Sequence, residues 1–286
     1  MRAKKLLSLL LLLTLMAGCH RQSTFGARGE GIVFDSIATD STTRLTDSRE
    51  MPSGELSIHL AYANPQGGDP QSVAAAWKIN QALLASGLLM PDYMAGVRLG
   101  STKGLTPKSY MQKALRQIAD NFGKLYKADY LALYKEVADF SPSYSRSYTV
   151  RTKVTQANDS LVNYVAETYY YDGGAHGQST TWARNFNTST GSIVTLDNIL
   201  RPGYKRPLTQ LIVDKLVRQF NVASLHQLQD EAYVFMNMEP YVPKNYLISD
   251  EGITFIYCQD EIAPHAVGEI RLTLTNKQLA GMMHKQ

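Results

Sequence analysis

The feature that most constrains the fold is a long hairpin between residues 147 and 171. The segment "SYTVRTKVT" alternates with a period of two, which is typical of a half-buried strand. One face of this strand carries Tyr148, Val150, Thr152 and Val154. Asn158 and Asp159 then supply turn chemistry, and "LVNYVAETYYY" returns as a second strand. The sequence therefore predicts an antiparallel pair of strands near the middle of the chain.

Helical patterns lie before this hairpin. Thr106 and Pro107 provide an N-cap and a first-turn proline, and apolar residues follow at spacings of three and four. The residues of this stripe are Met111, Leu115, Ile118, Phe122 and Leu125. Asp69 and Pro70 open an earlier helix in the same way. We expect both helices to cover one face of the hairpin's sheet.

Further strands and helices follow the hairpin in an irregular order, with short turns between the strands. This order indicates an α+β fold, in which antiparallel sheets have helices packed on them, and it argues against a doubly wound parallel sheet. We predict two joined sub-domains, an N-terminal α+β half over residues 55–172 and a C-terminal half over residues 173–286.

The N-terminus has the pattern of an export signal. A basic start precedes the apolar run from Leu6 to Met16, and small residues follow it directly before Cys19. This arrangement resembles a bacterial lipobox, so we expect a lipoprotein signal peptide over residues 1–18 and lipidation of Cys19. The alternative is an ordinary signal peptide with an incidental cysteine. Residues 19–54 are polar and rich in Ser and Thr, which predicts a flexible tether.

Charge and cysteine content limit the classes of partner. The formal net charge is +4, and cleavage would remove Arg2, Lys4 and Lys5, so a charge near +1 remains. The net charge of the mature chain therefore does not indicate nucleic acid as a partner. Cys19 and Cys258 are its two cysteines. With Cys19 lipidated, we expect no intramolecular disulfide and a packed Cys258.

The segment "YYYDGGAHGQ" places one histidine among glycines at the end of a strand. The motif residues are Gly173, Gly174, His176 and Gly177. Glycines on both sides favour a tight bend that turns the imidazole of His176 inward, onto a carbonyl or a carboxylate. The alternative is a ligand-contacting or catalytic His176 paired with Asp172 or Asp260. The sequence has no HExxH, HxH or CxxC spacing, so we expect neither a metal site nor a cofactor.

A second cluster of candidate residues lies near the C-terminus. Asp260, Glu261 and His265 place two carboxylates and an imidazole within six residues, a set that can perform acid/base chemistry. The alternative is a strand end followed by the Pro264 turn, with solvated carboxylates. No nucleophile motif accompanies the cluster, so we favour the second interpretation and expect no catalytic residue.

Acidic and basic residues are unevenly distributed. Between Leu228 and Glu269 the chain has eight carboxylates and one lysine, Lys244, whereas the helix that begins at Pro107 is mostly basic. An acidic surface can attract a cationic protein. The alternative is that these charged side chains are only exposed to water and bind no partner.

Three segments carry a family resemblance in the same order: "YYYDGGAHG", "NTSTGSIVTLDNIL" and "YLISDEGITFIYCQDEIAPHAVGEIRLTL". This set resembles the RsiV-like extracytoplasmic family over roughly residues 55–283. The family includes the outer part of a lysozyme-sensing anti-sigma factor and the domain that precedes the catalytic part of a deacetylase. Its members usually have an aromatic residue, often Tyr, where His265 stands here, which leaves the lysozyme-binding role open for this chain.

Together these observations predict a lipid-anchored module of the bacterial cell envelope that binds without catalysis. The bilayer would be a partner through Cys19, in the outer membrane if the organism is Gram-negative. The other expected partner is a lysozyme-like protein or peptidoglycan. The alternative function is an envelope glycan hydrolase or deacetylase that uses His176 with Asp172 or Asp260.

Overall fold

The computed structural model describes residues 31–45, 52–89, 102–137 and 144–284, with side chains of the second helix described through residue 132. Five strands form the first sheet in the order of the chain. They are β1 (Gly31–Arg44), β2 (Ser53–Gln66), β3 (Arg146–Asn158), β4 (Leu161–Asp172) and β5 (Gln178–Asn187). The β2/β3 pair is parallel and the other pairs are antiparallel. The predicted hairpin is β3 and β4.

Two helices cover one face of this sheet. Helix α1 (Pro70–Ala85) begins at Asp69, whose carboxylate accepts hydrogen bonds from the backbone of Gln71 and Ser72. Helix α2 (Pro107–Val137) begins at the predicted proline. Its predicted apolar stripe packs into the first core, where Met111, Leu115, Ile118 and Phe122 are buried.

A second unit follows β5. Its sheet has the order β6, β7, β8, with both pairs antiparallel. Its elements are α3 (Lys205–Gln219), α4 (Leu225–Asp230), β6 (Asn245–Ser249), β7 (Gly252–Tyr257), β8 (Ile270–Thr275) and α5 (Asn276–Leu279). Leu208, Ile212 and Leu216 of α3 pack with Phe255 and Leu272 of the sheet in a separate core. The α+β class, with helices packed on sheets, is confirmed.

Polar side chains join the two sheets between β5 and β6. The amide of Asn185, which is 1 % exposed, accepts a hydrogen bond from Ile248 N at 2.9 Å and donates one to Tyr246 O at 3.0 Å. A neighbouring amide on β4, that of Asn163, donates to Ile248 O at 3.1 Å. These side-chain hydrogen bonds take the place of the backbone hydrogen bonds that a sixth strand of the first sheet would form.

The same contact continues along β5. Asn245 donates to Thr181 O at 2.8 Å and accepts from Ala183 N at 3.1 Å. The thiol of Cys258 donates to Thr181 O and accepts from Thr181 N, at 3.2 and 3.4 Å. Cys258 is thus packed by the second unit against the first. We call this contact the seam, and it consists of Asn163, Thr181, Asn185, Asn245 and Cys258.

The structure corrects two boundaries predicted from the sequence. Residues 31–44, expected within the tether of residues 19–54, form β1, an edge strand paired along its whole length with β2. The boundary expected at residue 172 cuts the first sheet, because β5 pairs with β4 over ten positions. The second core begins at Leu196.

The predicted signal peptide, Cys19 and the rest of the tether before residue 31 lie outside the described residues. Within the described ranges, none of the helices has both the length and the hydropathy needed to cross a bilayer.

Candidate functional site

The Gly-His segment connects β4 to β5 at the end of the first sheet. Gly173 and Gly174 have φ of 83° and 88°, in the left-handed region where a side chain is strained. The Tyr171 hydroxyl donates to Gly174 O at 3.0 Å and closes the bend. A Cβ on Gly177 would lie 2.5 Å from the ring of Tyr169, so this glycine permits close packing. Positive φ or close packing therefore favours glycine at three motif positions, Gly173, Gly174 and Gly177.

His176 does not have the predicted inward position. Its side chain is exposed, and among the described residues none hydrogen-bonds its ring. Its ring stacks on that of His265, with centroids 4.6 Å apart and planes 20° apart. The bend is already closed by Tyr171 and by glycine backbone, which explains why the imidazole is not needed there. The expectation of a buried, hydrogen-bonded His176 is wrong.

His265 forms the carboxylate pair instead. Its Nδ1 lies 2.9 Å from Asp260 Oδ2, and its Nε2 lies 3.3 Å from Gln259 Nε2. The Gln259 amide also donates to His265 O at 3.1 Å. Asp260 has φ of 64°, in the left-handed region that Asp tolerates better than most residues. Both partners are partly exposed, with 43 % of the His265 side chain and 36 % of the Asp260 side chain accessible.

The described surroundings of the histidine–carboxylate pair contain an amide and a partly buried thiol. In the described part of the chain, the His265 Nε2 contacts only the Gln259 amide, which is not a nucleophile. The nearby thiol of Cys258 bonds Thr181, and burial raises its pKa, which disfavours the reactive thiolate. No group of three or more His, Cys, Asp or Glu side chains in the described ranges is arranged to hold a metal ion. The pair can accept or donate a proton, and among the described residues no nucleophile contacts it.

Glu261 and Asp172 have partners that fix local structure. Glu261 accepts a hydrogen bond from Cys258 N at 2.7 Å and one from the Tyr241 hydroxyl at 2.8 Å, so it pins its own loop. Asp172 lies 2.5 Å from Arg146 Nε, on the other side of the bend. Neither carboxylate contacts His176, so the predicted pair of His176 with Asp172 does not form.

A groove with a volume of about 560 Å³ lies beside this cluster, on the first sheet where the second unit meets it. Its floor follows the strand register. Thr149, Tyr169 and Ser179 are cross-strand neighbours in one row, and Arg151, Glu167 and Thr181 form the next row. Its wall comes from the second unit and includes Gln259, Gly268 and Glu269. We call this surface the groove.

The groove is polar and nearly balanced in charge. Arg151 and Glu167 are cross-strand neighbours, while Glu269 pairs with Arg271 and accepts a hydrogen bond from the Thr181 hydroxyl across the junction of the units. The ring of Tyr169 is 41 % exposed and packs against the Gly-His bend. Gln259 belongs to both the groove and the histidine pair. The two predicted motifs therefore lie at the rim of the groove.

The rim of the groove could be predicted from the sequence, but its floor could not. The predicted cluster contains His176, Asp260 and His265, which the structure also places side by side. Arg151, Glu167 and the hydroxyl residues of the floor look like ordinary outward positions of strands. Their grouping depends on the register of three strands and on the docking of a second unit, neither of which is visible in local pattern.

Comparison with known proteins places the fold. Residues 197–277, which cover most of the second unit, match the family described as "Protein of unknown function (DUF3298)". A crystal structure of a DUF3298 family member from Bacteroides fragilis has 22 % identity and a TM-score of 0.69, and the match covers 91 % of this chain and 96 % of that one.

A second crystal structure, of a DUF3298 family protein from Pseudomonas aeruginosa, has 14 % identity and a TM-score of 0.54, with 90 % and 96 % of the two chains covered. No curated protein matches the chain at a significant level. The chain thus shares the fold of these two proteins over nearly its whole length, and residues 197–277 carry the match to the DUF3298 family.

Proposed function

We propose that this protein is an extracytoplasmic binding module whose groove holds a strand of wall glycan. The observation that carries the proposal is the groove itself, in which two rows of hydroxyl, charged and aromatic side chains face a wall from the second unit. Its volume falls in the range of small-ligand sites. It is open, as a site for part of a longer chain must be.

The side chains of the groove suit sugar chemistry. Sugar hydroxyls donate and accept hydrogen bonds, and the Ser and Thr hydroxyls of the floor can do the same. The carboxylates of Glu167 and Glu269 and the Arg151 guanidinium bind pairs of neighbouring polar groups. Tyr169 offers an exposed aromatic face for the apolar side of a sugar ring.

Binding without hydrolysis agrees with the surroundings of the groove. The His265–Asp260 pair faces the Gln259 amide, and the Cys258 thiol is committed to the seam. Hydrolysis of a glycosidic bond by the common route needs two carboxyl groups, one held protonated, on either side of the bond. Glu269, one of the two carboxylates of the groove, is already engaged by the Thr181 hydroxyl and by Arg271 Nε.

The location proposed for this activity is the cell envelope. The lipobox-like sequence before Cys19 and the RsiV-like resemblance both support a lipid-anchored, extracytoplasmic protein. Cys19→Ser should abolish fatty-acid labelling and release the protein into the soluble fraction. Unchanged membrane association of that variant would contradict the anchor.

The glycan proposal is tested by co-sedimentation of the soluble chain, residues 20–286, with purified peptidoglycan and with chitin. Tyr169→Ala removes the aromatic face of the groove and should reduce the bound fraction at least fivefold. The matched control is Tyr233→Ala, a tyrosine that is 51 % exposed and lies outside the groove. Equal binding by both variants, or no sedimentation of the unmodified chain, would overturn the proposal.

A second candidate function is the binding of a cationic protein such as lysozyme, at a loop of the second unit. Exposed apolar side chains cluster within nine residues of this loop, namely Tyr233, Met236, Met238 and Tyr241. Aromatic residues and methionine are enriched at interfaces. The stretch between Arg218 and Lys244 has no Lys or Arg, and Glu231 and Glu239 are exposed beside the cluster.

The loop is held in a fixed shape, which favours binding. Tyr233, Phe235 and Asn237 have φ of 55°, 59° and 58°, a conformation that costs free energy for side-chain-bearing residues. Phe235 is buried beneath the loop, and its N donates to Ile262 O at 2.7 Å. Isothermal titration with lysozyme should give binding that Met236→Ala weakens and Tyr169→Ala does not. Loss of binding in Tyr169→Ala alone would assign the protein partner to the groove.

A further inference from the structure

A second concave site, of about 520 Å³, lies on the second unit next to the seam. It is formed by the start of α3, the segment that follows β5, and the proline-rich segment before β6. Its chemistry differs from that of the groove, because three cations and three tyrosine rings line it beside only two Thr hydroxyls. We call it the Arg184 pocket after the residue that β5 contributes.

Arg184 is a half-buried cation whose hydrogen bonds all go to neutral oxygens. Its Nη1 donates to Ala183 O at 2.7 Å, to Asn245 Oδ1 at 3.0 Å and to Lys244 O at 3.2 Å. Its guanidinium carbon lies 4.8 Å from the ring centre of Trp182. Burial lowers the pKa of the guanidinium, which reflects the cost of holding the charge away from water.

Most of the donors of Arg184 are unused. Within the described ranges, Nε and Nη2 have no hydrogen-bond partner, and no carboxylate comes within ion-pair distance of this side chain. A guanidinium has five N–H donors in a planar fork, and buried charges are normally paired. Arg184 therefore resembles one half of an ion pair whose other half comes from outside the chain.

The other charged residues of the pocket are also mainly cations. Lys205 and Lys244 also line it, and the single carboxylate of the lining, that of Asp197, lies near Tyr204. Among the described residues neither lysine forms an ion pair. Three cations against one carboxylate give a field that favours an anion.

The walls around these cations are apolar. Ile193 is 37 % exposed, and Pro240 and Pro243 also belong to the lining. The hydroxyls of Tyr241 and Tyr246 are engaged with Glu261 and Val194, so these residues offer their rings to the pocket. An anion bound here would have an apolar group beside it.

We propose that the Arg184 pocket binds a carboxylate with an adjacent apolar group, as at the C-terminus of a short peptide. The free Nε and Nη2 donors pair with the two carboxylate oxygens, because the guanidinium fork matches that planar group. Lys205 and Lys244 add charge, and Ile193 and the tyrosine rings cover the apolar side chain. This site is separate from the groove, so either proposal can fail without the other.

The test is isothermal titration of the full chain, purified in a non-ionic detergent, with N-acetyl-alanyl-leucine and with its C-terminal amide. The acid should bind with a dissociation constant in the micromolar to low millimolar range, and the amide at least tenfold more weakly. Equal affinities, or no heat for either peptide at millimolar concentration, would overturn the proposal. Acetate or inorganic phosphate binding as tightly as the acid would also overturn it, because an apolar group would then contribute nothing.

Two variants locate the site. Arg184→Gln should weaken binding of the acid at least tenfold, while Arg151→Gln, in the groove, should leave it unchanged. Because Arg184 also holds Lys244 and Asn245, its loss can disturb the fold, so Lys205→Ala provides an independent check at an exposed position. This variant should weaken binding about threefold, with a shallower salt dependence. Unchanged peptide affinity in a folded Arg184→Gln variant would assign the peptide to another site. Unchanged affinity in Lys205→Ala, together with an affinity that does not depend on salt, would do the same.

Discussion

The interior of each unit and the seam between the units are held by different forces. Each interior is a set of apolar side chains, such as Phe122 in the first unit and Phe255 in the second, which are 1 % and 0 % exposed. The seam is built from amides and a thiol that bond main-chain groups across the two sheets. Apolar burial is non-directional, whereas these hydrogen bonds fix one register and one angle.

This difference explains where the groove can form. Its floor belongs to the first unit and its wall to the second, so its shape depends on how the units are docked. An apolar contact would tolerate small rotations, but paired amides would lose their partners. We infer that the seam contributes specificity of docking, while the two cores contribute most of the stability.

The largest expected effect comes from alkaline pH, because it acts on both cores. Burial raises the pKa of Tyr62 and Tyr126 in the first unit, and of Tyr204 in the second, from 10.0 to about 12. Their neutral forms therefore stabilise the folded state fully below pH 10, and this contribution is lost as the pH rises through 12. The free energy of unfolding, measured by urea titration, should fall by several kcal/mol over this window. A constant value would show that these phenols titrate normally.

Truncation of a core aromatic should have the next largest effect. Phe255→Ala and Phe122→Ala should each reduce the free energy of unfolding by about 3–5 kcal/mol, because each leaves a cavity in a packed interior. Urea unfolding monitored by circular dichroism measures both. If the seam couples the units firmly, each variant shifts one common transition. Two separated transitions in either variant would show that the units unfold independently.

Seam variants should cost less and should rank by the number of bonds lost. Asn185→Ala removes a donor and an acceptor from buried partners and should cost about 1–3 kcal/mol. Asn163→Ala is the matched control, since that amide makes one bond to Ile248 and its Oδ1 already has no partner in the structure. It should cost clearly less. The reverse ranking would contradict the role given to Asn185.

The smallest effect is expected at the histidine of the bend. His176 is exposed and makes a ring stack and no hydrogen bond in the described structure, so His176→Ala should change the free energy of unfolding by less than about 0.5 kcal/mol. Gly174→Val, at φ of 88°, should cost about 1–3 kcal/mol. Thermal unfolding compares the two variants. A larger loss in His176→Ala would restore the structural role predicted from sequence.

Local signals in the sequence predicted most elements of the fold. The hairpin follows from its alternation, and α2 begins at the proline that marks it. Strand β1 was missed because only Ile32, Val33 and Phe34 are fully buried, while its remaining residues are mostly Ser, Thr and Asp on an edge. Its stability comes from pairing with β2, which composition does not reveal.

The site could be predicted only where the cause of a structural feature lies in one short segment of the sequence. Glycines around the bend indicated left-handed backbone, and two of them have it. The stack of His176 on His265 joins residues far apart in the chain, and the row of Arg151, Glu167 and Thr181 joins three strands. Such contacts depend on register and docking, which a single sequence does not encode in any local pattern.

The proposed glycan site is formed by both units together. The most direct measurement is a nuclear magnetic resonance titration of the isotope-labelled chain, residues 20–286, with a chitin oligosaccharide. We expect shifts of the amides of Tyr169 and Thr181 on the floor together with Gln259 and Gly268 on the wall, and weaker binding by a folded Asn185→Ala variant. Shifts confined to one unit, or none at millimolar sugar, would contradict it.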